Sequence, residues 1–151
     1  MKFIHITDLH LVPPGHRLWG LDPFSRLDQC LADIMKYHGD AKFCAISGDL
    51  TERGEAESYR ALQERLEKLQ LPVHLMLGNH DDRANFLRVF NGPLEGGFVQ
   101  HRLILDGQHF LFLDTLKGGP SSAGLYDGPR RSWLRDALAT ANGAPVYIFM
   151  H

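Results

Sequence analysis

The alternation of short apolar runs with helical patterns most constrains what this chain can fold into. Three runs rich in apolar and β-branched side chains, typical of buried strands, lie at residues 3–7, 43–47 and 73–77. Between them, apolar residues recur at helical spacing after Asp22-Pro23 and again from near Glu55 to Leu69. Alternating strands and helices predict an α/β fold built on a parallel sheet with covering helices.

The pattern changes in the second half of the chain. Residues 99–105 and 108–113 flank Asp106-Gly107, a dipeptide favoured in two-residue hairpin turns. A helix is expected after Asp127-Gly128-Pro129, and residues 146–150 predict a buried strand that ends on His151. A length of 151 residues predicts a single domain.

Composition excludes several classes of protein. The net charge of −2 argues against a partner that is a nucleic-acid polymer. No apolar run approaches the length of about 18 residues that a membrane span needs, and Asp8 comes too early for a signal peptide. Cys30 and Cys44 make no disulfide framework and are expected to be buried thiols. We therefore expect a cytoplasmic protein without a membrane partner.

Polar side chains that suit metal or acid–base chemistry follow each predicted parallel strand. Asp8 and His10 follow the first strand, Asp49 follows the second, and Asn79 with His80 follows the third. Ligands of open α/β sheets bind at the carboxyl ends of strands, so these side chains are expected to share one crevice. A further candidate, His151, ends the last predicted strand.

The candidate ligands are carboxylates, imidazoles and an amide: Asp8, His10, Asp49, Asn79 and His151. Because no thiolate is among them, the set suits divalent ions such as Mn²⁺, Fe²⁺, Co²⁺ or Zn²⁺. Asp49, central in the set, is the candidate to bridge two ions, which can activate a shared water and clamp a phosphoryl oxygen. The glycines before Asp49 and Asn79 allow sharp turns there.

Each motif alone also has a structural interpretation. An aspartate after a strand often caps the next helix, and Asp81 and Asp82 fit that description. Among the other histidines, His5 and His74 are expected to serve packing or core hydrogen bonds. We expect three others to be exposed at element edges or in the hairpin: His38, His101 and His109.

The loop at residues 16–20 follows the first pair of candidate ligands and could overhang the site. There Arg17 could meet a phosphate and Trp19 a base or an alcohol moiety. A loop tryptophan is, however, more often a packing anchor. The role of His16 in the same loop is left open.

Four motifs give the chain a family resemblance: Ile6-Thr7-Asp8-Leu9-His10, Ser47-Gly48-Asp49-Leu50-Thr51, Gly78-Asn79-His80-Asp81-Asp82 and Ile148-Phe149-Met150-His151. Together they resemble the calcineurin-like metallophosphoesterases over the whole length of the chain. Within that superfamily the motifs look most like those of bacterial class III cyclic nucleotide phosphodiesterases and their glycerophosphodiesterase relatives.

The resemblance implies a four-layer α/β/β/α sandwich with two divalent metals at the sheet edges. By the same resemblance, Asp8 and His10 would hold the first metal, Asp49 would bridge, and Asn79 and His151 would hold the second. His80 would stabilise the transition state or assist the leaving group. A hydroxide activated by the two metals would then hydrolyse a small phosphodiester, either a cyclic nucleotide or a glycerophosphodiester.

One departure from the family pattern is a missing Gly-His-x-His motif, which would add one ligand to each metal. We therefore expect residues 1–151 to be the N-terminal portion of a catalytic domain, or a second copy of the chain to supply the missing pieces. Two alternative functions stay open. They are phosphomonoesterase or protein phosphatase activity, because residues 48–54 loosely resemble that group's motif, and an inactive truncated domain that acts in oligomerisation or binding.

Overall fold

The computed structural model describes residues 1–92, 94–119 and 122–151. Within these ranges the chain forms two three-stranded sheets and four helices. In chain order the elements are β1 (Ile4–Ile6), α1 (Pro23–His38), β2 (Cys44–Ser47), α2 (Ala56–Leu66), β3 (Val73–Met76), α3 (Arg83–Phe90), β4 (His101–Leu105), β5 (Gln108–Phe112), α4 (Gly128–Ala139) and β6 (Val146–Phe149).

The first sheet has the order β1-β2-β3 and is parallel throughout, as the alternation of strands and helices predicts. The central strand β2 is buried along its whole length. Backbone pairing continues beyond the strands, because the amides of His10 and Leu11 donate to the carbonyls of Asp49 and Leu50. The two loops that carry Asp8, His10 and Asp49 are therefore held side by side.

The second sheet has the order β4-β5-β6, with an antiparallel and a parallel pair. The predicted hairpin is confirmed, and Asp106 and Gly107 both have positive φ, as a type I′ turn requires. The prediction that the last strand is buried is wrong. In the described ranges β6 pairs only with β5, and this edge position leaves Tyr147 and Ile148 42% and 43% exposed.

Three apolar clusters fill the spaces between the layers of the fold. Alternate residues of β2 point to opposite faces, with Cys44 and Ile46 in the cluster that includes residues of α1 and α2. Phe43 and Ala45 face the second sheet and join an aromatic-rich cluster between the sheets. A third cluster joins Leu111 of the second sheet to α4. This order is the predicted α/β/β/α sandwich.

Helix ends follow the predicted capping residues in two cases. Asp22 caps α1 by accepting from the amides of Phe24 and Ser25, and Asp82 caps α3 by accepting from the amide of Asn85. The second helix, α2, ends at Leu66, before the predicted end at Leu69, and a turn connects these two residues. No helix in the described ranges combines the length and apolar character needed to cross a membrane.

Candidate metal centre

The loops after β1, β2, β3 and β6 bring their polar side chains to one place. Ligand atoms of His10, Asp49 and His80 lie within 4.8 Å of one another, and so do those of Asp8, Asp49 and His151. Asp49 is the member that the two groups share. Its carboxylate is therefore the only one in these groups placed to touch two ions at once.

The Asp49 side chain is held in a buried and directed position. Asp49 is 4% exposed, and its Oδ1 accepts a hydrogen bond of 2.9 Å from the backbone amide of His80. The other oxygen, Oδ2, lies 3.6 Å from Nε2 of His10 and 3.2 Å from Nε2 of His151. The imidazoles of both histidines thus present the same nitrogen to the same carboxylate oxygen.

Each of the three site histidines donates a hydrogen bond from Nδ1. His10 donates to Glu52 Oε2 at 2.9 Å, His80 to the Glu52 carbonyl at 2.9 Å, and His151 to the Ser47 carbonyl at 2.8 Å. These partners only accept, so the Nδ1 atoms carry the protons and the Nε2 atoms are left to face the site. Glu52, which orients two rings at once, is not among the site residues that the sequence predicts.

This arrangement fits a divalent cation. With the proton of each ring on Nδ1, Nε2 of His10 and Nε2 of His151 can each offer a lone pair, and both atoms lie within 3.6 Å of Asp49 Oδ2. Such a set is stabilised by a cation between its members, as in the carboxylate–histidine–metal arrangements that fix a ring through its other nitrogen. Asp8 adds a second carboxylate, with Oδ1 3.6 Å from His10 Nε2.

His80 has a distinct electrostatic environment. Its hydrogen bond to the Glu52 carbonyl raises the pKa of the imidazole, and the nearby carboxylates of Asp49 and Glu52 act in the same direction. The ring lies edge-on to His10, with the two centroids 4.8 Å apart. His80 is thus close enough to bind a metal ion itself, in addition to the role beside the metals that the family resemblance implies.

Asn79 lies on the His151 side of the site. It is half-buried and lines a small cavity of about 60 Å³ together with Gly78, Thr115 and His151. The Thr115 hydroxyl donates 2.7 Å to the His151 carbonyl and so fixes the end of β6 against this cavity. Asn79 and His151 thus line the same small cavity beside the site.

The ligand loops contain backbone conformations that L-residues rarely adopt. Asp8, His10 and Asp49 have φ values of 57°, 43° and 47°, in the left-handed region. Strained backbone conformations persist only where the surrounding structure holds them, and they cluster at functional sites. Three of them among the candidate ligands are therefore consistent with a functional site. Two glycines make the approach feasible, since a Cβ on Gly48 would lie 2.6 Å from the His151 ring and one on Gly78 would overlap Asp49.

Asp81 does not cap α3, contrary to one interpretation of the sequence. Its buried carboxylate accepts from the amides of Leu50, Thr51 and Gly78, and from the Tyr59 hydroxyl. Asp81 therefore ties the loop after β2 to the loop after β3. The cap is made by its neighbour, as described above.

The loop at residues 16–20 lies at the surface, and the contacts of its side chains differ from those predicted. Arg17 donates 3.1 Å to the Gly20 carbonyl, within its own loop, rather than reaching toward the site. The Trp19 side chain is not a packing anchor, because the residue is 86% exposed. His16 is exposed and close to the Pro13 carbonyl.

Two predictions about the remaining histidines are wrong. His109 is 7% exposed, and His101 is half-buried with Nε2 2.9 Å from Nδ1 of His74. His101 pairs with Phe112 on the face of the second sheet that packs on the first, whereas His109 alternates onto the face that carries Leu111 and packs on α4. His38 is exposed and His74 is hydrogen-bonded in the interior, as expected.

With this geometry in place, comparisons with known proteins identify the family. The calcineurin-like phosphoesterase family matches residues 1–151, so the chain belongs to that family. It is 39% identical over 155 residues to a probable cyclic nucleotide phosphodiesterase of Rhodopseudomonas palustris. It is 31% identical over 162 residues to a glycerophosphodiester phosphodiesterase of Enterobacter lignolyticus, and 31% identical over 158 residues to a cAMP/cGMP dual specificity phosphodiesterase of Mycobacterium tuberculosis.

These matches cover nearly all of this chain but only part of each relative. The first two take in 100% of this chain and 57% and 56% of the relatives, and the third takes in 98% and 48%. The chain thus spans about half the length of the curated relatives it matches.

Proposed function

We propose that the protein hydrolyses phosphodiesters at a centre of two divalent metal ions, with residues 1–151 as the N-terminal portion of the catalytic domain. The observation that carries this proposal is the position of Asp49, whose carboxylate belongs to both groups of potential ligands. The proposed ligands are Asp8, His10, Asp49, Asn79 and His151. Mn²⁺, Fe²⁺, Co²⁺ and Zn²⁺ are the candidate ions, because the donors are carboxylates, imidazoles and an amide.

The protein's own contribution is to hold these donors in fixed directions. When bound, the ions would supply Lewis acidity that activates water and offsets charge on the phosphoryl group. Glu52 and the Ser47 carbonyl hold the Nδ1 protons of His10 and His151, and so keep each Nε2 turned toward Asp49. Burial of Asp49 limits competing contacts with water.

His80 is the proposed proton donor to the leaving oxygen. Its Nδ1 proton is committed to the Glu52 carbonyl, so a second proton would be carried on Nε2. The hydrogen bond to the Glu52 carbonyl raises the pKa of this imidazole, and a raised pKa favours the doubly protonated form. An imidazolium beside the site can also stabilise negative charge that develops on the phosphoryl oxygens.

The names of the relatives support a small phosphodiester as the substrate, since they specify cyclic nucleotides or glycerophosphodiesters. To test the reaction, the purified protein is incubated with Mn²⁺ and either bis(p-nitrophenyl) phosphate or p-nitrophenyl phosphate. We expect metal-dependent turnover of the diester at a rate well above that of the monoester.

The matched variants for this experiment are Asp49→Ala and Asp136→Ala. We expect Asp49→Ala to abolish turnover and to lower the bound metal per chain. Asp136 is exposed on α4, so its replacement is expected to leave both unchanged. Faster turnover of the monoester would instead favour the phosphatase alternative. A protein with no bound metal and no turnover in Mn²⁺ would favour the inactive binding module.

A further inference from the structure

Trp19 occupies an unusual position in the loop between β1 and α1. Leu18 and Leu21 exchange two backbone hydrogen bonds of 2.9 Å, which leaves Trp19 and Gly20 at the tip of a tight turn. Their φ values are 47° and 81°. Glycine adopts such values easily, whereas a tryptophan does so at a cost in free energy.

No packing interaction in the described ranges offsets this cost. The Trp19 residue is 86% exposed, although burial of an aromatic side chain is the usual gain from placing one in a loop. A large apolar side chain that is both strained and exposed is an outlier of the kind found at ligand sites. The position of Trp19 therefore points to a binding partner that the described residues do not supply.

An apolar cavity of about 440 Å³ opens beside the turn. Trp19 and Leu21 of the turn line it, together with Leu9 and with Leu27 of α1. Asp8 and His10 line the same cavity, so it is continuous with one side of the candidate metal centre. Its volume lies in the range of small-molecule sites, which are mostly apolar with a few placed polar groups.

A second cavity at the centre has a more polar lining. This cavity, of about 590 Å³, is lined by Asn79 and His80 together with Arg53 and Asp82. A phosphodiester has two substituents on one phosphate. The apolar cavity and this more polar one both border the centre, so the two substituents of a bound diester would meet different surroundings.

We propose that the apolar cavity receives a planar aromatic substituent of the substrate, a nucleobase, which stacks on the Trp19 indole. This inference rests on the proposed function, because it places the phosphate at the metal centre that Asp8 and His10 border. Base–aromatic stacking depends on the π-face that every nucleobase has. A glycerol moiety has no such face and gains little from leucine walls, so the cavity favours nucleotide diesters over glycerophosphodiesters.

Arg26 supplies a polar group for the edge of the same base. It is exposed on α1 and lines the cavity, and its guanidinium makes no hydrogen bond or ion pair with the described residues. A guanidinium in this position can donate to the ring nitrogen or carbonyl acceptors of a base. The cavity thus combines a stacking surface with a donor, as a base-binding site needs.

The first test is direct binding. The chain has two tryptophans, so the Trp133→Phe background leaves Trp19 as the single indole fluorophore. With the protein loaded with Zn²⁺, we expect adenosine 5′-monophosphate to quench Trp19 fluorescence in a saturable way. Glycerol 3-phosphate, which carries the same phosphate group without a base, is expected to leave the fluorescence unchanged. Equal quenching by both, or by neither, would overturn the inference.

The second test uses Trp19→Asn, because asparagine tolerates the left-handed region and the variant is expected to fold at least as stably. We expect kcat/KM for 3′,5′-cyclic AMP to fall about tenfold to a hundredfold, the range that loss of one base stack gives. For glycerophosphoethanolamine the change is expected to stay below about threefold. Tyr37→Ala, which removes an exposed aromatic outside the cavity, is the matched control and is expected to change neither.

The two tests separate this inference from the proposed function. If no diester is hydrolysed but nucleotide quenching of Trp19 persists, the proposed function fails and the base-binding cavity stands. If both diesters are hydrolysed equally well by Trp19→Asn and by the unmodified protein, the cavity assignment fails and the proposed function stands. An equal loss toward both substrates in Trp19→Asn also contradicts the assignment, because it indicates a structural role.

Discussion

Gly48 has no side chain of its own at the site, yet it sets how closely His151 can approach the loop after β2. A Cβ at this position would lie 2.6 Å from the His151 ring, where no atom fits without displacement. Its φ of 87° adds a second requirement for glycine. Local sequence explains the turn, whereas contact with a residue more than a hundred positions away explains why even alanine does not fit.

The substitution Gly48→Ala is therefore expected to have two effects. Forcing an L-residue into the left-handed region costs about 1–2 kcal/mol of stability. Displacement of His151 is expected to weaken metal binding as well, by about tenfold or more, as is usual when a ligand loses its orientation. Thermal unfolding measures the first effect, and titration against a competing chelator measures the second.

Gly15→Ala is the matched control for this prediction. Gly15 has a nearly identical φ of 85°, but a Cβ there would have no neighbour within 4 Å. We expect only the loss of about 1–2 kcal/mol that the left-handed conformation causes, a smaller loss than for Gly48→Ala, and no change in metal affinity. An equal change of metal affinity in both variants would show that His151 does not depend on the space at Gly48.

At the scale of elements, the buried carboxylate of Asp81 joins the loop after β2 to the loop after β3, beyond the end of the pairing between these two strands. It accepts from backbone amides on both loops that follow β2 and β3, and from the Tyr59 hydroxyl of α2. Asp49 lies on one of these loops and Asn79 on the other. The relative position of the candidate ligands thus depends on Asp81, although Asp81 belongs to neither group of potential metal ligands.

Asp81→Ala is expected to lower the free energy of unfolding by about 3–5 kcal/mol, since it leaves several buried donors without an acceptor. The neighbouring substitution Asp82→Ala removes only the cap of α3 and is expected to cost about 1 kcal/mol. Urea unfolding of the two variants gives both values. Similar costs for the two would indicate that Asp81 is a cap and not a connection between loops.

The positions of the candidate ligands could be predicted because they depend on strand ends, which the sequence marks clearly. Asp8 and Asp49 each follow an apolar run, and parallel pairing brings such ends together. The role of Glu52 could not be predicted, since it depends on which ring nitrogen of His10 turns inward. The exposure of β6 could not be predicted either, because an apolar run has the same sequence pattern in an edge strand as in a central strand.

At the scale of the whole molecule, a histidine pair connects the two sheets. His74 of β3 and His101 of β4 share a hydrogen bond, and their rings stack on each other and on Phe112. Burial and the neighbouring His74 lower the pKa of His101 to about 4, and burial lowers the pKa of His74 too. Both rings are consequently neutral in the folded protein at neutral pH.

This pair predicts how stability depends on pH. An unfolded histidine takes up a proton below about pH 6.5, whereas the folded His101 does so only near pH 4. Between these values the unfolded state binds more protons, so the free energy of unfolding falls as the pH falls. The contribution of His101 is fully present above pH 6.5 and declines by on the order of 3 kcal/mol toward pH 4.

The variant His101→Phe isolates this contribution from that of the carboxylates, because phenylalanine keeps the stack on Phe112 and cannot be protonated. Urea unfolding between pH 7 and pH 4 is expected to show a shallower loss of stability for His101→Phe than for the unmodified protein. His38→Gln, at an exposed position at the end of α1, is expected to leave the slope unchanged. If stability changed with pH equally in all three proteins, burial of His101 between the sheets would not disfavour the protonated imidazole, and the prediction would be wrong.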